Sequence, residues 1–165
     1  MNDEFVIRAR KFASRYGIEL GNELGTGTQG AVFDLVDNAK SGPAAVKFHY
    51  REHSYVRERA AYHRLSEMRV ESVLGFNVPK LLRTDDELLA IEMTVVRRPF
   101  VLDFAGAWID DEPPEFSEEV WSQWEKEKLE QFGLRWSTVQ RLIGEFRALG
   151  IHLLDVSPGN IAFGP

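Results

Sequence analysis

The 165-residue chain contains no cysteine, which excludes disulfide bonds, thiolate metal sites and cysteine nucleophiles. Its four histidines are scattered along the sequence and do not predict a metal cluster. The chain also lacks an apolar run as long as a membrane span, and its first residues lack the basic and apolar regions of a signal peptide. We therefore expect a cytoplasmic protein that does not enter a membrane.

Positive charge is also scarce. The chain has 26 acidic and 20 basic residues, and this net charge of −6 argues against a protein that binds nucleic-acid phosphates. Residues 110–130 contain nine acids and two lysines, so this segment carries −7 and the rest of the chain sums to +1. All four tryptophans lie within or beside the acidic segment: Trp108, Trp121, Trp124 and Trp136.

What is present is the composition of an ordinary folded protein, with 44% hydrophobic and 28% charged residues. A chain of this length suffices for one domain or for two small lobes. Hydrophobic periodicity and Pro/Gly turns predict helices at 4–16, 52–68, 117–132 and 138–149, strands within 18–48, at 80–83 and at 88–93, and turns at 25–30 and 37–43.

These elements predict an α+β protein in two parts. Residues 1–96 are β-rich and residues 97–165 are mainly helical, with the change of character near residues 93–100. Ser137, followed three residues later by Gln140, predicts a capping box at the start of the last helix.

Gly25, Gly27 and Gly30 fit the pattern G-x-G-x-x-G. The residues that follow, 31–36, alternate like a strand, so the glycines form a hairpin tip and not the strand-to-helix turn of a dinucleotide-binding fold. No Gly-Lys-Ser/Thr closes the loop, which excludes a Walker A motif. Such a hairpin can lie over phosphates, because backbone N–H groups can approach them closely, or it can be a plain tight turn.

Two charged residues follow at informative places. Lys47 ends the apolar strand that begins at Ala44, and a lysine there either meets an anion or extends to solvent. Glu58 lies in the helix at 52–68, where it either pairs with Lys47 or belongs to a solvated face.

An acid and an amide lie five residues apart near the C-terminus. Asp155 and Asn160 enclose a Pro-Gly turn between apolar residues. One interpretation is a site where the carboxylate accepts a hydroxyl proton beside a divalent ion. The other is an Asx-type turn in which Asp155 bonds the loop backbone.

In this order the elements resemble the protein-kinase-like superfamily over roughly residues 18–165. The segments that carry the resemblance are GTGTQGAVF, AAVK, RERAAYHRL, LLAIEM and HLLDVSPGN. It implies a nucleotide-binding N-lobe at residues 1–96, with an antiparallel sheet and one main helix. A reduced α-helical C-lobe at residues 97–165 would end just after the catalytic-type loop.

The resemblance also implies roles for individual residues. Gly25, Gly27 and Gly30 would cover the phosphates of ATP, and Lys47 would contact these phosphates while pairing with Glu58. The adenine would lie between Val32 and Ala45, next to a gatekeeper at Ile91 and the backbone of Glu92 and Met93. Asp155 would be the catalytic base and Asn160 a Mg²⁺ ligand.

One departure from the family pattern bears on the metal. No Asp-Phe-Gly follows Asn160, because Phe163-Gly164 is preceded by Ala162. The resemblance therefore leaves Asn160 as its only predicted Mg²⁺ ligand, unless Asp103, Asp110, Asp111 or a partner chain supplies another. Two functions remain open. The protein is an ATP-binding phosphotransferase to a hydroxyl acceptor, or an inactive pseudokinase that serves as an interaction or scaffold module.

The helix at 117–132 also has two interpretations. Trp121, Trp124 and Phe132 either fill a core between the two last helices and the first lobe, or face a protein partner or a second copy of the chain. We favour the core.

Overall fold

The computed structural model describes residues 3–36 and 42–165, so most of the turn predicted at 37–43 lies outside the described residues. Within the described ranges the chain forms four α-helices: α1 (Asp3–Tyr16), α2 (Glu52–Glu67), α3 (Glu118–Phe132) and α4 (Trp136–Ala148). The strands of the same ranges are β1 (Glu19–Thr26), β2 (Gly30–Val36), β3 (Ala44–His49), β4 (Ser72–Val73), β5 (Phe76–Asn77), β6 (Leu81–Asp85), β7 (Ala90–Thr94), β8 (Phe100–Val101), β9 (Trp108–Ile109), β10 (Ile151–His152) and β11 (Ile161–Ala162). The predicted α+β class is confirmed.

The main sheet has the order β1-β2-β3-β7-β6, and each neighbouring pair in it is antiparallel. All six residues of β3 are buried, because both faces of this central strand are covered. On one face, Val46 and Phe48 pack beneath Phe5 and Phe12 of α1. Since side chains alternate along a strand, Lys47 points to the opposite face, where α2 lies.

A second sheet draws its strands from both parts of the chain. Its order is β11-β8-β5-β4, in which β8 is antiparallel to β11 and parallel to β5. One hydrophobic core runs from Tyr62 of α2 through Phe104 to Phe146 of α4, with ring centroids 5.3 and 5.7 Å apart. This core crosses the boundary predicted near residue 96, so the two parts fold against each other.

The start of α4 differs from the prediction. A 3₁₀ turn, Gly133–Arg135, leads directly into the helix, which begins at Trp136. Ser137 therefore lies inside the first helical turn and caps nothing, and the capping box predicted with Gln140 is wrong. The burial of the Trp136 indole explains this start, since the helix must begin early enough to carry that ring into the core.

The aromatic residues of the acidic segment mostly pack inward. Phe132 and Trp136 belong to the core and Trp124 packs against it, whereas Trp121 is 39% exposed. The core interpretation is thus confirmed for two of the three residues to which it was applied, Trp124 and Phe132. Among the described helices, none has the length and apolar character needed to span a bilayer.

Candidate functional site

The three glycines of the β1–β2 hairpin serve different purposes. A Cβ at Gly30 would collide with the carbonyl oxygen of Phe48, so the close approach of β3 requires glycine there. A Cβ at Gly25 or Gly27 would meet no atom within 4 Å. The fold itself therefore does not require glycine at these two positions, and they leave open space at the hairpin.

The tip of this hairpin is hydrogen-bonded to α2 and to Tyr50, the residue after β3. The Tyr50 backbone N–H donates to the Gln29 carbonyl oxygen at 3.0 Å, and the Ser54 hydroxyl donates to Gln29 Oε1 at 2.6 Å. These two hydrogen bonds fix the position of the hairpin tip relative to β3 and α2. Sequence patterns gave no role to Gln29.

A cavity of about 560 Å³ opens beneath the hairpin, and we call it the hairpin cavity. Its walls come from the hairpin, from β3 and α2, from the segment 93–96 and from the loops at 102–103 and 159–160. The predicted site residues that line it are Gly25, Gly27, Gly30, Val32, Ala45, Lys47, Glu58, Met93 and Asn160.

Lys47 and Glu58 form the predicted ion pair. The Lys47 Nζ lies 2.7 Å from Glu58 Oε2, and the two residues are 5% and 1% exposed. Burial alone would lower the pKa of Lys47, but Glu58 and Asp103 outweigh it, so the pKa is raised. The lysine therefore carries a positive charge within the cavity wall.

His49 is a second partner of Glu58. Its Nε2 lies 2.5 Å from Glu58 Oε2, and its Nδ1 lies 3.1 Å from the Leu89 carbonyl oxygen. Burial would raise the pKa of Glu58, yet the opposing effects of Lys47 and His49 lower it to about 2. Glu58 is consequently an ionised, immobilised carboxylate, and His49 is a positioning residue that sequence patterns missed.

Asp103 completes the group of charges. Its Oδ1 lies 3.0 Å from Lys47 Nζ and also accepts a hydrogen bond from the Ala105 backbone N–H at 3.2 Å. The residue has a φ of 62°, a left-handed conformation that costs a non-glycine residue free energy and that aspartate tolerates better than most. The strained backbone aims the carboxylate at the lysine.

The pairing of β8 with β11 brings Asn160 to the same place. Ile161 pairs with Val101, and the Leu102 backbone N–H donates to the Asn160 carbonyl oxygen at 2.8 Å. In an antiparallel pair the end of one strand lies beside the start of the other. Asp103, just after β8, and Asn160, just before β11, therefore both reach the hairpin cavity.

Asp155 lies at the margin of this group and does not line the hairpin cavity. Its carbonyl oxygen accepts a bond from Asn160 Nδ2 at 3.2 Å, and a Cβ added at Gly106 would lie 3.4 Å from its own Cβ. Partial desolvation and the charge of Asp103 raise the pKa of the Asp155 carboxyl. The side chain is exposed and can reach a molecule bound nearby.

Besides Asp155, two predicted site residues do not line the hairpin cavity. Ile91 pairs with Lys47 but is wholly buried in the core, and Glu92 turns to the other face of the sheet, where Arg83 Nε lies 3.4 Å away. The cavity wall is formed instead by Met93 and the residues up to Val96. Met93, the last residue of the predicted wall, lines the cavity, whereas Ile91 and Glu92 do not, and the adenine contact predicted for the Glu92 backbone stays a prediction.

The sequence offered Asp103 only as one of three aspartates that could supply a further Mg²⁺ ligand, and it did not predict which of them lines the hairpin cavity. The family pattern places an acid after Asn160 in the sequence, whereas in this chain the acid is Asp103, which precedes α3. The signal was the run Leu102-Asp103-Phe104, an acid between apolar residues at the end of a short strand. Of the other two candidates, Asp110 is paired with Arg64 at 2.5 Å, and Asp111 does not line the cavity.

The arrangement offers oxygen donors beside a fixed positive charge. Asp103 and Asn160 are close enough to share one cavity, and no group of three or more His, Cys, Asp or Glu residues that could hold a metal occurs among the described residues. Such a pair suits a cation that takes its other ligands from a bound molecule. Neither a protein-family model nor a curated protein matches this chain.

Proposed function

We propose that this protein is a kinase-like phosphotransferase that binds ATP in the hairpin cavity and transfers its terminal phosphoryl group to a hydroxyl acceptor. One observation carries the proposal. The Lys47 ammonium is held 2.7 Å from Glu58 and 3.0 Å from Asp103, in a cavity that it shares with Asn160 under a glycine-rich hairpin. Phosphoryl transfer depends mainly on such positioning and on neutralising charge.

The cavity fits a nucleotide in shape and chemistry. Val32, Ala45 and Met93 give it apolar walls for a flat base. The open space at Gly25 and Gly27 leaves room for phosphates against the hairpin backbone. Lys47 supplies the positive charge that these phosphates need.

The residues present also fit Mg²⁺. The Asp103 carboxylate and the Asn160 amide oxygen would hold the ion, since Mg²⁺ prefers oxygen ligands and usually keeps water and phosphate as the others. When bound, Mg²⁺ neutralises charge on the phosphates. Asp103 thus fills the role of the acid that the family pattern places after Asn160.

Asp155 is the proposed general base. The acceptor oxygen forms a bond to the terminal phosphorus, the bond from that phosphorus to the bridging oxygen breaks, and ADP leaves. The hydroxyl proton passes to the Asp155 carboxylate. Its raised pKa suits this task, because a more basic carboxylate takes a proton more readily.

Mg-ATP should raise the melting temperature of the protein by several degrees, since a ligand that binds only the folded state stabilises it. Lys47→Met should abolish the shift, whereas Lys11→Met, on the exposed side of α1, should keep it. Circular dichroism establishes that each variant is folded. The absence of a shift at millimolar ATP in the unmodified protein would contradict nucleotide binding.

Asp155→Asn tests the transfer step separately. ATP turnover should fall by roughly 10²–10⁴-fold while the Mg-ATP melting shift remains. If both proteins bind ATP and turn it over at the same background rate, the protein is an inactive pseudokinase, the other function that the sequence left open.

A further inference from the structure

A second cavity, of about 530 Å³, borders the loop that leads to Asp155. We call it the tryptophan cavity. The residues that line it are Glu112, Pro113, Pro114, Glu115, Trp121, Trp124, Glu125, Trp136, Gln140, Ile143, Gly144, Arg147, His152, Leu153 and Leu154. Its volume is that of a site for a small molecule.

The tryptophan cavity lies beside the proposed base. Leu154, the residue before Asp155, lines the tryptophan cavity, and Asn160, five residues after Asp155, lines the hairpin cavity. Lys128, on the same helix as two of the tryptophans, partly offsets the rise in the pKa of Asp155. Asp155 thus lies on the stretch of chain that connects the walls of the two cavities.

Three indole rings give the cavity its chemistry. Trp124 lies between Trp121 and Trp136, with ring centroids 5.7 Å apart in both pairs and the rings edge to face. The faces of indole rings attract cations. One of these rings already does so, because the Lys128 Nζ lies 5.7 Å from the centroid of Trp124.

The charged residues of the cavity wall also favour a positively charged ligand. Glu112, Glu115 and Glu125 line the cavity, and none of them takes part in an ion pair among the described residues. The basic residues of the described wall are Arg147 and His152. The acids therefore outnumber the cations, and a positively charged ligand would balance them.

We propose that the tryptophan cavity binds the phosphate acceptor and that this acceptor is a small organic cation that carries a hydroxyl group. The acceptor role rests on the proposed function, because it requires Asp155 to take the proton of the hydroxyl group. The cation would lie against the indole rings with Glu125 near its charge. A neutral or anionic alcohol of the same shape would lack both attractions.

Binding can be measured without nucleotide through tryptophan fluorescence, because three of the four tryptophans line the cavity. The probes are two matched pairs, choline with its uncharged isostere 3,3-dimethylbutan-1-ol, and glucosamine with glucose. We expect the cation of at least one pair to bind about 10-fold more tightly than its neutral partner. Equal affinities within both pairs, or no cation binding below about 10 mM, would overturn the proposal.

Variants of α3 place the bound cation. Glu125→Gln and Trp121→Ala should each weaken binding by about 10-fold. Lys128→Ala should strengthen it, because the internal cation then no longer competes for Trp124. Leu129→Ala is the matched control, since this residue is on the same helix, is 52% exposed and does not line the cavity. An unchanged affinity in both Glu125→Gln and Trp121→Ala would show that the cation does not bind in this cavity.

Mg-ATP labelled at the terminal phosphate then tests the acceptor role. The label should appear on the bound amino alcohol and should not appear on its neutral partner. A protein that binds ATP but no cation would contradict this inference and leave the proposed function intact. A protein that binds the cation but not Mg-ATP would refute the proposed function, and the acceptor role would fail with it.

Discussion

The hairpin cavity and the tryptophan cavity use charge in opposite ways. In the first, Lys47 is enclosed between two carboxylates of the protein itself, Glu58 and Asp103, and is almost fully buried. In the second, the acids lie at the surface without ion-pair partners among the described residues. The charges of the first cavity are paired within the protein, and in the second we propose that a bound cation balances the acids.

The difference has a physical reason. A buried charge is stable only when its partners are already in place, so the side chains of the hairpin cavity must be fixed before any ligand arrives. Exposed acids are hydrated and need no partner for the protein to fold. A fixed cavity suits the reactant whose phosphorus must be aligned, and a more accessible cavity suits an acceptor that only has to present a hydroxyl group.

The largest effect should come from changing the charge balance of the hairpin cavity. Asp103→Asn should lower phosphoryl transfer by about 10³-fold, because it removes both a proposed metal ligand and a partner of Lys47. Asparagine tolerates the left-handed backbone of this position, so the loop should keep its shape. ATP turnover, measured beside the choline and glucosamine affinities, shows whether the two cavities respond separately.

Asp111→Asn is the matched control, because Asp111 is exposed and lines neither cavity. We expect it to leave turnover within about twofold of the unmodified protein. Equal loss in both variants would show that a general change of surface charge, and not the carboxylate beside Lys47, governs the rate.

The sequence predicted the parts of the hairpin cavity that depend on local pattern. The alternation after Gly30 and the helical spacing around Glu58 were enough to place a hairpin, a strand lysine and a helix acid in order. Asp103 could not be placed in this way, because β8 and β11 have two residues each and are too short for a recognisable period. Only their pairing brings Asp103 next to Asn160.

The same reasoning explains the corrections and omissions. Period 2 places Ile91 and Met93 on one face of β7, but it does not tell which of them lies at the cavity and which lies in the core. His49 lies two residues beyond Lys47 on the same face, and its bond to Glu58 depends on how α2 packs on the sheet. The start of α4 was likewise decided by burial of Trp136, against the local capping pattern at Ser137.

A smaller effect should appear in the dependence of stability on pH. The pKa of Glu58 is about 2 in the folded protein, against the ordinary value of about 4.5 that we expect in the unfolded chain. This group therefore contributes stability above about pH 4.5 that is lost as the pH falls toward 2, on the order of 3 kcal/mol in total. Urea unfolding at intervals from pH 6 to pH 3 measures the onset of this loss.

Glu58→Gln should be less stable near pH 7, because Lys47 loses its buried counter-charge and His49 loses a carboxylate hydrogen-bond partner. Its stability should also fall less steeply below pH 4.5. Glu67→Gln, an exposed change on the same helix, should follow the unmodified protein. Parallel curves for all three proteins would mean that Glu58 is not held ionised by its neighbours, and the contrast between the two cavities would lose its basis.

The smallest effect should separate two glycines of one hairpin. Gly27→Ala should keep or slightly raise stability, since its Cβ meets no atom and alanine restricts the unfolded chain. The same methyl group would occupy the space proposed for phosphates, so Mg-ATP affinity should fall by about 10-fold. Calorimetric titration and thermal unfolding of one preparation give both quantities.

Gly30→Ala should reverse this pattern. Its Cβ would press on the Phe48 carbonyl of β3, which costs about 1–3 kcal/mol of stability by overpacking. This methyl group points at β3 and not at the open space. The Mg-ATP affinity should therefore fall less than in Gly27→Ala, and only through distortion of the hairpin. If both variants lose stability and affinity together, the hairpin acts as one rigid unit. If Gly27→Ala loses mainly affinity and Gly30→Ala loses mainly stability, glycine is required at position 27 for ligand binding and at position 30 for the packing of β3.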